Sequence, residues 1–102
     1  MKLPSLNPAT EEIIASVVMS TPKEVFSAVQ RAQQAFTSWK QLAVEQRISL
    51  VKKSIPLLQQ QRDHFAKLIT QEMGKPLKAS LGEVDKSIEL ITYFCDTVQS
   101  CI

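Results

Sequence analysis

Glycine is almost absent from this sequence of 102 residues, which contains only Gly74 and Gly82. A phosphate-binding loop needs several closely spaced glycines, because backbone N–H groups must reach the phosphate without side chains in between. Two separated glycines cannot build such a loop. The sequence therefore excludes a glycine-rich nucleotide cradle within these residues.

Histidine and cysteine are nearly as scarce. The single histidine, His64, excludes a histidine-rich metal site and leaves little support for a Ser-His-Asp arrangement. Cys95 and Cys101 are the only cysteines, and on one helix they point too far apart to form a disulfide within it. Reduced thiols are typical of the cytoplasm, so we expect a cytoplasmic protein.

The chain also lacks a strong charge of one sign and long apolar runs. Its net charge of +2 comes from lysines and arginines scattered among acids, which indicates a solvated surface. Nucleic-acid binding is therefore the weakest of the functions considered. No stretch approaches the roughly 20 apolar residues that span a bilayer, and no apolar run follows Met1, so neither a membrane partner nor a signal peptide is expected.

Residues 3–19 have the pattern of a β-hairpin. β-Branched residues dominate residues 13–18, and Asn-Pro-Ala-Thr (residues 7–10) has turn chemistry. Thr21, Pro22 and Glu24 then form a helix-start signal, with Thr21 as N-cap and Glu24 completing a capping box. The helix that follows carries apolar residues at spacings of three and four: Val25, Ala28, Val29, Ala32, Ala35, Phe36 and Trp39.

Three more helices are predicted. Residues 44–61 form the first, with a kink or break at Pro56, which has no N–H to donate. Residues 62–73 form the second, which Asp63 would cap at the start and Gly74 would close in a left-handed conformation. Residues 77–102 form the third, whose apolar seam is Leu77, Leu81, Val84, Ile88, Ile91, Cys95, Val98 and Ile102.

The predicted fold is therefore mostly α, with about four helices and a short N-terminal β-hairpin. One segment, 1–102, would hold the hairpin at 3–19 and the helices at 22–102. Inside the last helix Gly82 suggests a close contact with a neighbour. The seam reaches Ile102 without glycine, proline or a basic last turn, so we expect that a longer polypeptide continues there.

The residues that could carry chemistry all have a simpler structural interpretation. His64 is interpreted as a surface residue and Cys95 as a small core residue, while Cys101 lies at a frayed end. Phe36 and Trp39 are interpreted as core anchors. The acids on the last helices have no partner placed for acid–base work and are interpreted as solvated charges: Glu72, Glu83, Asp85 and Glu89.

Five of these segments, in order, resemble the N-terminal part of the NAD(P)-dependent aldehyde dehydrogenase family. They are the turn at 7–10 with its strand at 13–18, the helix at 25–39, the run Leu-Ile-Thr-Gln-Glu-Met-Gly-Lys-Pro (68–76), Gly-Glu-Val (82–84) and Tyr-Phe (93–94). The sequence Glu-Met-Gly-Lys-Pro (residues 72–76) is most similar to that of the succinate-semialdehyde dehydrogenase branch. The chain departs from the family at Glu11, where a glycine often makes the turn, at Pro56, and at Cys95, where alanine is common.

The resemblance implies a fragment of the α/β aldehyde dehydrogenase fold that packs on the dinucleotide-binding domain. In the family a cysteine thiolate attacks the aldehyde, hydride passes to NAD or NADP, and a glutamate activates water. Those groups lie beyond this chain, so no catalytic, cofactor-binding or metal-binding residue is assigned to it. Some relatives hold a monovalent cation near the opening strand and the acid corresponding to Glu83, partly through backbone ligands.

Two hypotheses for the function of the chain remain open. In the first, the chain is the N-terminal fragment of an aldehyde dehydrogenase that oxidises succinate semialdehyde or another aldehyde to its acid with NAD(P). The fragment alone would then be inactive, bind no cofactor and associate with itself, because faces meant for the missing remainder are exposed. In the alternative, the chain is a free-standing helical interaction module that uses the 77–102 seam.

Overall fold

The chain folds as a hairpin followed by a series of helices. The computed structural model describes all residues 1–102. The predicted mostly helical fold with a short N-terminal hairpin is confirmed, although the helices number five rather than about four. The elements are β1 (Lys2–Leu6), β2 (Ile13–Val18), α1 (Pro22–Trp39), α2 (Val44–Lys52), α3 (Ser54–Gln60), α4 (Arg62–Met73) and α5 (Leu77–Cys101).

β1 and β2 pair antiparallel, from Lys2 opposite Val18 to Leu6 opposite Ile13, with a bulge beside Leu6. At the tip, the Asn7 side chain accepts a hydrogen bond from the Ala9 N–H at 2.9 Å, which confirms the turn chemistry. Glu11 adopts the left-handed conformation with φ of 64°. The turn thus keeps a backbone suited to glycine although Glu11 stands there, at the cost of local strain.

α1 begins with the predicted capping box. The Glu24 N–H donates to the Thr21 hydroxyl at 3.2 Å, and the Thr21 N–H donates to the Glu24 carboxylate at 2.7 Å. These two bonds satisfy N–H groups that have no partner inside the helix. The hydrogen bond from the Thr21 backbone, followed by that from its hydroxyl, lowers the pKa of Glu24.

The helix predicted over 44–61 is broken, as expected, but the break lies at Lys53 rather than at Pro56. The N–H that proline lacks is the one that would bond to the carbonyl of Lys52, the last residue of α2. α3 begins at Ser54, so Pro56 lies in its first turn, where a missing N–H leaves no bond unmade.

The prediction that Asp63 caps α4 is wrong. Gln61 precedes the helix, without a side-chain cap, and Asp63 lies inside the first turn. The backbone of α3 leads directly into α4, and the Gln61 carbonyl accepts from the Phe65 N–H at 3.0 Å. Asp63 can therefore act only through its favourable charge near the helix N-terminus. Gly74 closes α4 as predicted, with φ of 73°.

The core of the chain is the contact between α4 and α5. Ala66 on α4 and Ser80 on α5 are fully buried, and Val84 is 5% exposed; no other residue is buried. The Thr70 and Ser80 hydroxyls lie 2.8 Å apart and hydrogen-bond, which satisfies the buried serine. Small side chains at this crossing let the two helix backbones approach closely.

Ion pairs between helices surround this core. Arg62 donates to both oxygens of Asp85, Nε to Oδ1 at 2.5 Å and Nη2 to Oδ2 at 2.7 Å, and joins α4 to α5. The hydrogen bonds from Arg62 lower the pKa of Asp85, and the Asp85 carboxylate raises the pKa of Arg62. Lys52 on α2 pairs with Asp96 on α5 at 2.6 Å, and this hydrogen bond raises the pKa of Lys52.

The fold leaves an unusually large surface exposed. A folded protein of this mass exposes about 5,800 Å² by the usual size scaling, whereas this chain exposes 8107 Å². Its radius of gyration is 17.8 Å, against about 13 Å for a compact chain of this length. Much of the excess is apolar, because large hydrophobic side chains of β1, β2, α1 and α5 remain exposed.

The first prediction concerns Gly74. A Cβ at this position would lie 2.8 Å from Cγ of Pro8, and the backbone has the left-handed φ that costs other residues roughly 1–2 kcal/mol. Gly74→Ala should therefore lower the free energy of unfolding by more than about 1 kcal/mol, measured by urea unfolding at fixed protein concentration.

Gly82→Ala is the matched control for this prediction. The predicted close contact at Gly82 is wrong, because a Cβ there would meet nothing within 4 Å. Alanine should therefore raise helix stability by up to about 1 kcal/mol. Equal effects of the two substitutions would contradict the assignment of Gly74 to the left-handed cap beside Pro8.

The second prediction concerns acid stability. Because its pKa is lowered in the folded chain, Asp85 stabilises the fold above the unfolded-state pKa of about 3.9, and this contribution is lost as the pH falls through the folded value. Urea unfolding between about pH 6 and about pH 3 should show this decline, and Asp85→Asn should make it shallower. Asp63→Asn is the control, because the Asp63 carboxylate lies 3.7 Å from Arg62, too far for a hydrogen bond, whereas that of Asp85 lies at 2.5 Å. This substitution should leave the slope unchanged. An unchanged slope for Asp85→Asn would contradict the assignment.

Candidate functional site

The side chains that could do chemistry are dispersed over the structure. No group of three or more histidine, cysteine, aspartate and glutamate side chains is placed to hold a metal ion. None of the helices combines the length and the apolar character needed to cross a bilayer. His64 is exposed on α4, where its ring centroid lies 5.8 Å from that of Phe65. These positions do not bring a base to a nucleophile.

The acids of α5 are more than solvated charges. Asp85 is held by Arg62, Glu83 accepts a hydrogen bond from Lys75, and Glu89 pairs with Lys86 at 3.1 Å. All four acids are exposed, so the predicted interpretation as solvated charges holds, and only Glu72 makes no ion pair in addition. The pair of Arg62 with Asp85 joins α4 to α5, and Lys75 ties the connector between these helices to α5. These carboxylates therefore have structural partners rather than reacting ones.

The prediction that Phe36 and Trp39 are core anchors is wrong for this structure. Phe36 is 51% exposed and Trp39 is 39% exposed. Every residue of α1 except Ser27 is exposed, because α1 packs against no other element by more than isolated contacts. The apolar pattern identified the face of the helix correctly, but nothing in these 102 residues covers it.

A broad apolar groove lies between α2 and the C-terminal half of α5. We call it the α2–α5 groove; its volume is about 750 Å³, and 11 of its 13 lining residues are hydrophobic. Tyr93 and Phe94 lie along it with their rings in an edge-to-face arrangement, 5.4 Å between centroids. They are 59% and 62% exposed. Large aromatic side chains are usually buried, so the exposure of this pair is a notable feature of the groove.

Both cysteines and one arginine also line this groove. Cys95 is half-buried and Cys101 is exposed, and both are free thiols. The Nε atom of Arg47 is shut off from solvent and has no hydrogen-bond partner. A buried donor without an acceptor costs free energy, so the groove holds an unsatisfied N–H beside its apolar lining.

The seam analysis of α5 missed the outer side of the groove. The seam residues from Leu81 to Val98 are buried or half-buried, whereas its end residues Leu77 and Ile102 are exposed. Leu90, Tyr93 and Phe94 lie outside the seam and are also exposed. One signal was present in the sequence: Asp96 is the only charged residue from Leu90 to Ile102. Few charges in a helix segment indicate that more of its surface than one seam is apolar, although Thr92, Gln99 and Ser100 keep part of this segment polar. The arrangement as a whole suits binding of apolar surface.

Comparison with known proteins identifies the family. The model of the aldehyde dehydrogenase family matches residues 1–101. A malonate-semialdehyde dehydrogenase of Bacillus pumilus is 44% identical over 87 residues, which are 85% of this chain and 18% of that protein. The mitochondrial succinate-semialdehyde dehydrogenase of Arabidopsis thaliana is 39% identical over 90 residues, 88% of this chain and 17% of that protein.

The fold agrees with this assignment. The structure of an NADP-dependent glyceraldehyde-3-phosphate dehydrogenase from Bacillus halodurans, complexed with NADP, superimposes with a TM-score of 0.89 at 27% sequence identity. The superposition covers 94% of this chain and 20% of that one. This chain thus spans about a fifth of the length of the curated relatives it matches. Since the family match extends over nearly every residue, the chain belongs to the aldehyde dehydrogenase family.

Proposed function

We propose that this chain is the N-terminal scaffold of an enzyme that oxidises an aldehyde to its carboxylic acid with NAD or NADP. The observation that carries the proposal is the family match over residues 1–101. The names of two relatives, malonate- and succinate-semialdehyde dehydrogenase, suggest the semialdehyde of a short dicarboxylic acid as substrate. Succinate semialdehyde is the first choice, because Glu-Met-Gly-Lys-Pro is most similar to that branch.

The residues of this chain do not fit a cofactor site. Gly74 closes a helix and Gly82 lies inside one, so neither belongs to a phosphate-binding turn. Cys101 and His64 lie on different helices and at different positions on the molecule, and no histidine or carboxylate lines the groove beside the thiols. We therefore assign binding of NAD(P), attack on the aldehyde and activation of water to other parts of the enzyme.

The role proposed for this chain is to supply packed helices and apolar faces. The α4–α5 core with its ion pairs would hold the helices in place, and the exposed faces of α1, the hairpin and α5 would pack on the dinucleotide-binding domain. Without that domain, the same faces favour self-association of the chain.

A second candidate is a free-standing helical interaction module. The α2–α5 groove favours it, because an open apolar groove between two helices can receive an amphipathic helix. The two candidates differ in what they require: the module functions as 102 residues, whereas the scaffold functions only within a dehydrogenase.

The third prediction tests the scaffold with a chimaera. In it, this chain replaces the matching segment of the Bacillus pumilus malonate-semialdehyde dehydrogenase. With malonate semialdehyde, the chimaera should produce reduced nicotinamide cofactor at a rate within about tenfold of the parent, since imperfect contacts worth about 1.4 kcal/mol cost that factor. The 102-residue chain alone should produce none with malonate or succinate semialdehyde.

The control for this experiment is the parent enzyme without the matching segment, which should be inactive. The absorbance of the reduced cofactor measures the activity of all four proteins: the chimaera, the isolated chain, the parent enzyme and the parent without the segment. Turnover by the isolated chain would contradict the proposal, and so would a folded chimaera without activity.

A further inference from the structure

β2 forms an open edge of the two-stranded sheet. An antiparallel ladder alternates residue pairs that bond to each other with pairs whose N–H and C=O groups point away from the neighbouring strand. The Met19 N–H donates to the Met1 carbonyl at 2.9 Å, so every second pair from there is bonded across the hairpin. Ser16 and Val18 lie between the bonded pairs. Their backbone groups therefore point away from β1, where the sheet has no further strand.

The outer edge of β1 is protected against pairing, whereas that of β2 is not. On β1 the residues whose backbone points outward include Lys2 and Pro4. A lysine and a proline without an N–H are features by which natural sheets keep an edge strand from joining another chain. Residues 13–19 contain neither a charge nor a proline. No helix packs against β2 by more than isolated contacts, whereas α4 packs against β1, so the edge of β2 is the accessible one.

The side chains of β2 also suit a strand in the interior of a sheet. The strand reads Ile-Ile-Ala-Ser-Val-Val, which is rich in β-branched residues. Ile13, Val17 and Val18 are between 61% and 67% exposed. A two-stranded hairpin is marginal in water, whereas a sheet of three or more strands can be stable by itself. A further strand beside β2 would therefore stabilise the hairpin.

The charges at the ends of β2 favour an antiparallel second copy as that strand. Glu11 and Glu12 precede the strand, and no charge follows it before Lys23. A parallel pair in register would place each of these acids about 4.8 Å from its own copy, and like charges so close repel. In an antiparallel pair centred on Ser16, each Glu12 lies instead near Ser20 of the other copy. That position is close to the first turn of α1, where the helix dipole favours an acid.

We propose that β2 pairs antiparallel with β2 of a second copy of this chain and joins the two hairpins into one four-stranded sheet, with Ser16 opposite Ser16 on the two-fold axis. In this register Val18 lies opposite Ile14. Val17 lies opposite Ala15, so the opposed residues within the strands are uncharged. The inference is independent of the proposed function, because it uses the edge of the hairpin rather than the faces proposed to pack on the dinucleotide-binding domain.

A disulfide on the two-fold axis tests the register. Cys95→Ala and Cys101→Ala first remove the native thiols, and Ser16→Cys is then added in this background. Opposite residues of a bonded antiparallel pair lie about 5.5 Å apart between Cα atoms, within the range that a disulfide spans. Oxidised glutathione should join the two thiols and itself be reduced, and electrophoresis without reductant should show a covalent dimer.

Val18→Cys in the same background is the matched control, because Val18 lies on the same strand and face and is 67% exposed. In the proposed register its two copies are four residues apart along the strands, about 14 Å at about 3.4 Å per residue. Ser16→Cys should therefore form the covalent dimer at least about tenfold faster than Val18→Cys. Equal rates would indicate parallel or unspecific association and would overturn the proposal, and so would the absence of a dimer from both variants.

Hydrogen exchange of the unsubstituted chain supplies a second readout. The N–H groups of Ser16 and Val18 should exchange at least about tenfold more slowly where light scattering shows dimers than where it shows single chains, because pairing gives them acceptors. The Val17 N–H is the control, since it already bonds to β1 and should slow less. Slowing confined to the α2–α5 groove would assign the dimer contact to that groove and overturn the proposal.

Discussion

The close packing of α4 on α5, with Ala66 of α4 and Ser80 of α5 at its centre, is the constraint on which the remaining structure depends. These two positions are fully buried, and the hydrogen bond between Thr70 and Ser80 satisfies the only buried polar side chain of the core. A larger residue at either position would separate the helices. The left-handed cap at Gly74 ends α4 and allows α5 to return along it, and the same glycine leaves space for Pro8 of the hairpin tip.

The close packing between α4 and α5 contrasts with the exposure of the outer faces of the helices and the hairpin. Three residues are buried, while apolar side chains of both strands, α1 and the outer side of α5 face solvent. An isolated hairpin and an 18-residue helix without packing partners are each marginal in water. This exposure agrees with the proposal that the chain is one layer of a larger enzyme; the chain spans about a fifth of the length of each relative that it matches.

Local signals in the sequence predicted the fold well. The capping box at Thr21 and Glu24, the left-handed cap at Gly74 and the interruption near Pro56 each depend on a few neighbouring residues, and the structure contains all three. Asp63 failed as a cap because α3 runs directly into α4, and a single helix-start signal cannot show what precedes it.

Features that depend on distant parts of the chain were not predictable in the same way. Phe36 and Trp39 lie on an apolar face, but a periodic pattern cannot reveal whether a partner covers that face. The pairing of Arg62 with Asp85 joins residues 23 positions apart, and the orphaned Nε of Arg47 becomes visible only once α2 lies against α5. The outer side of the groove was not predicted, although the near absence of charge after Leu90 was a signal for it in the sequence.

The central claim is that these helices present apolar faces that must be covered. Light scattering of the purified 102-residue chain as a function of concentration tests this claim most directly. The account predicts a mass of at least two chains at concentrations of tens of micromolar or more, because exposed apolar patches of this size drive association. A mass of one 11.4 kDa chain throughout would contradict it, since the exposed faces would then be stable in water without any cover.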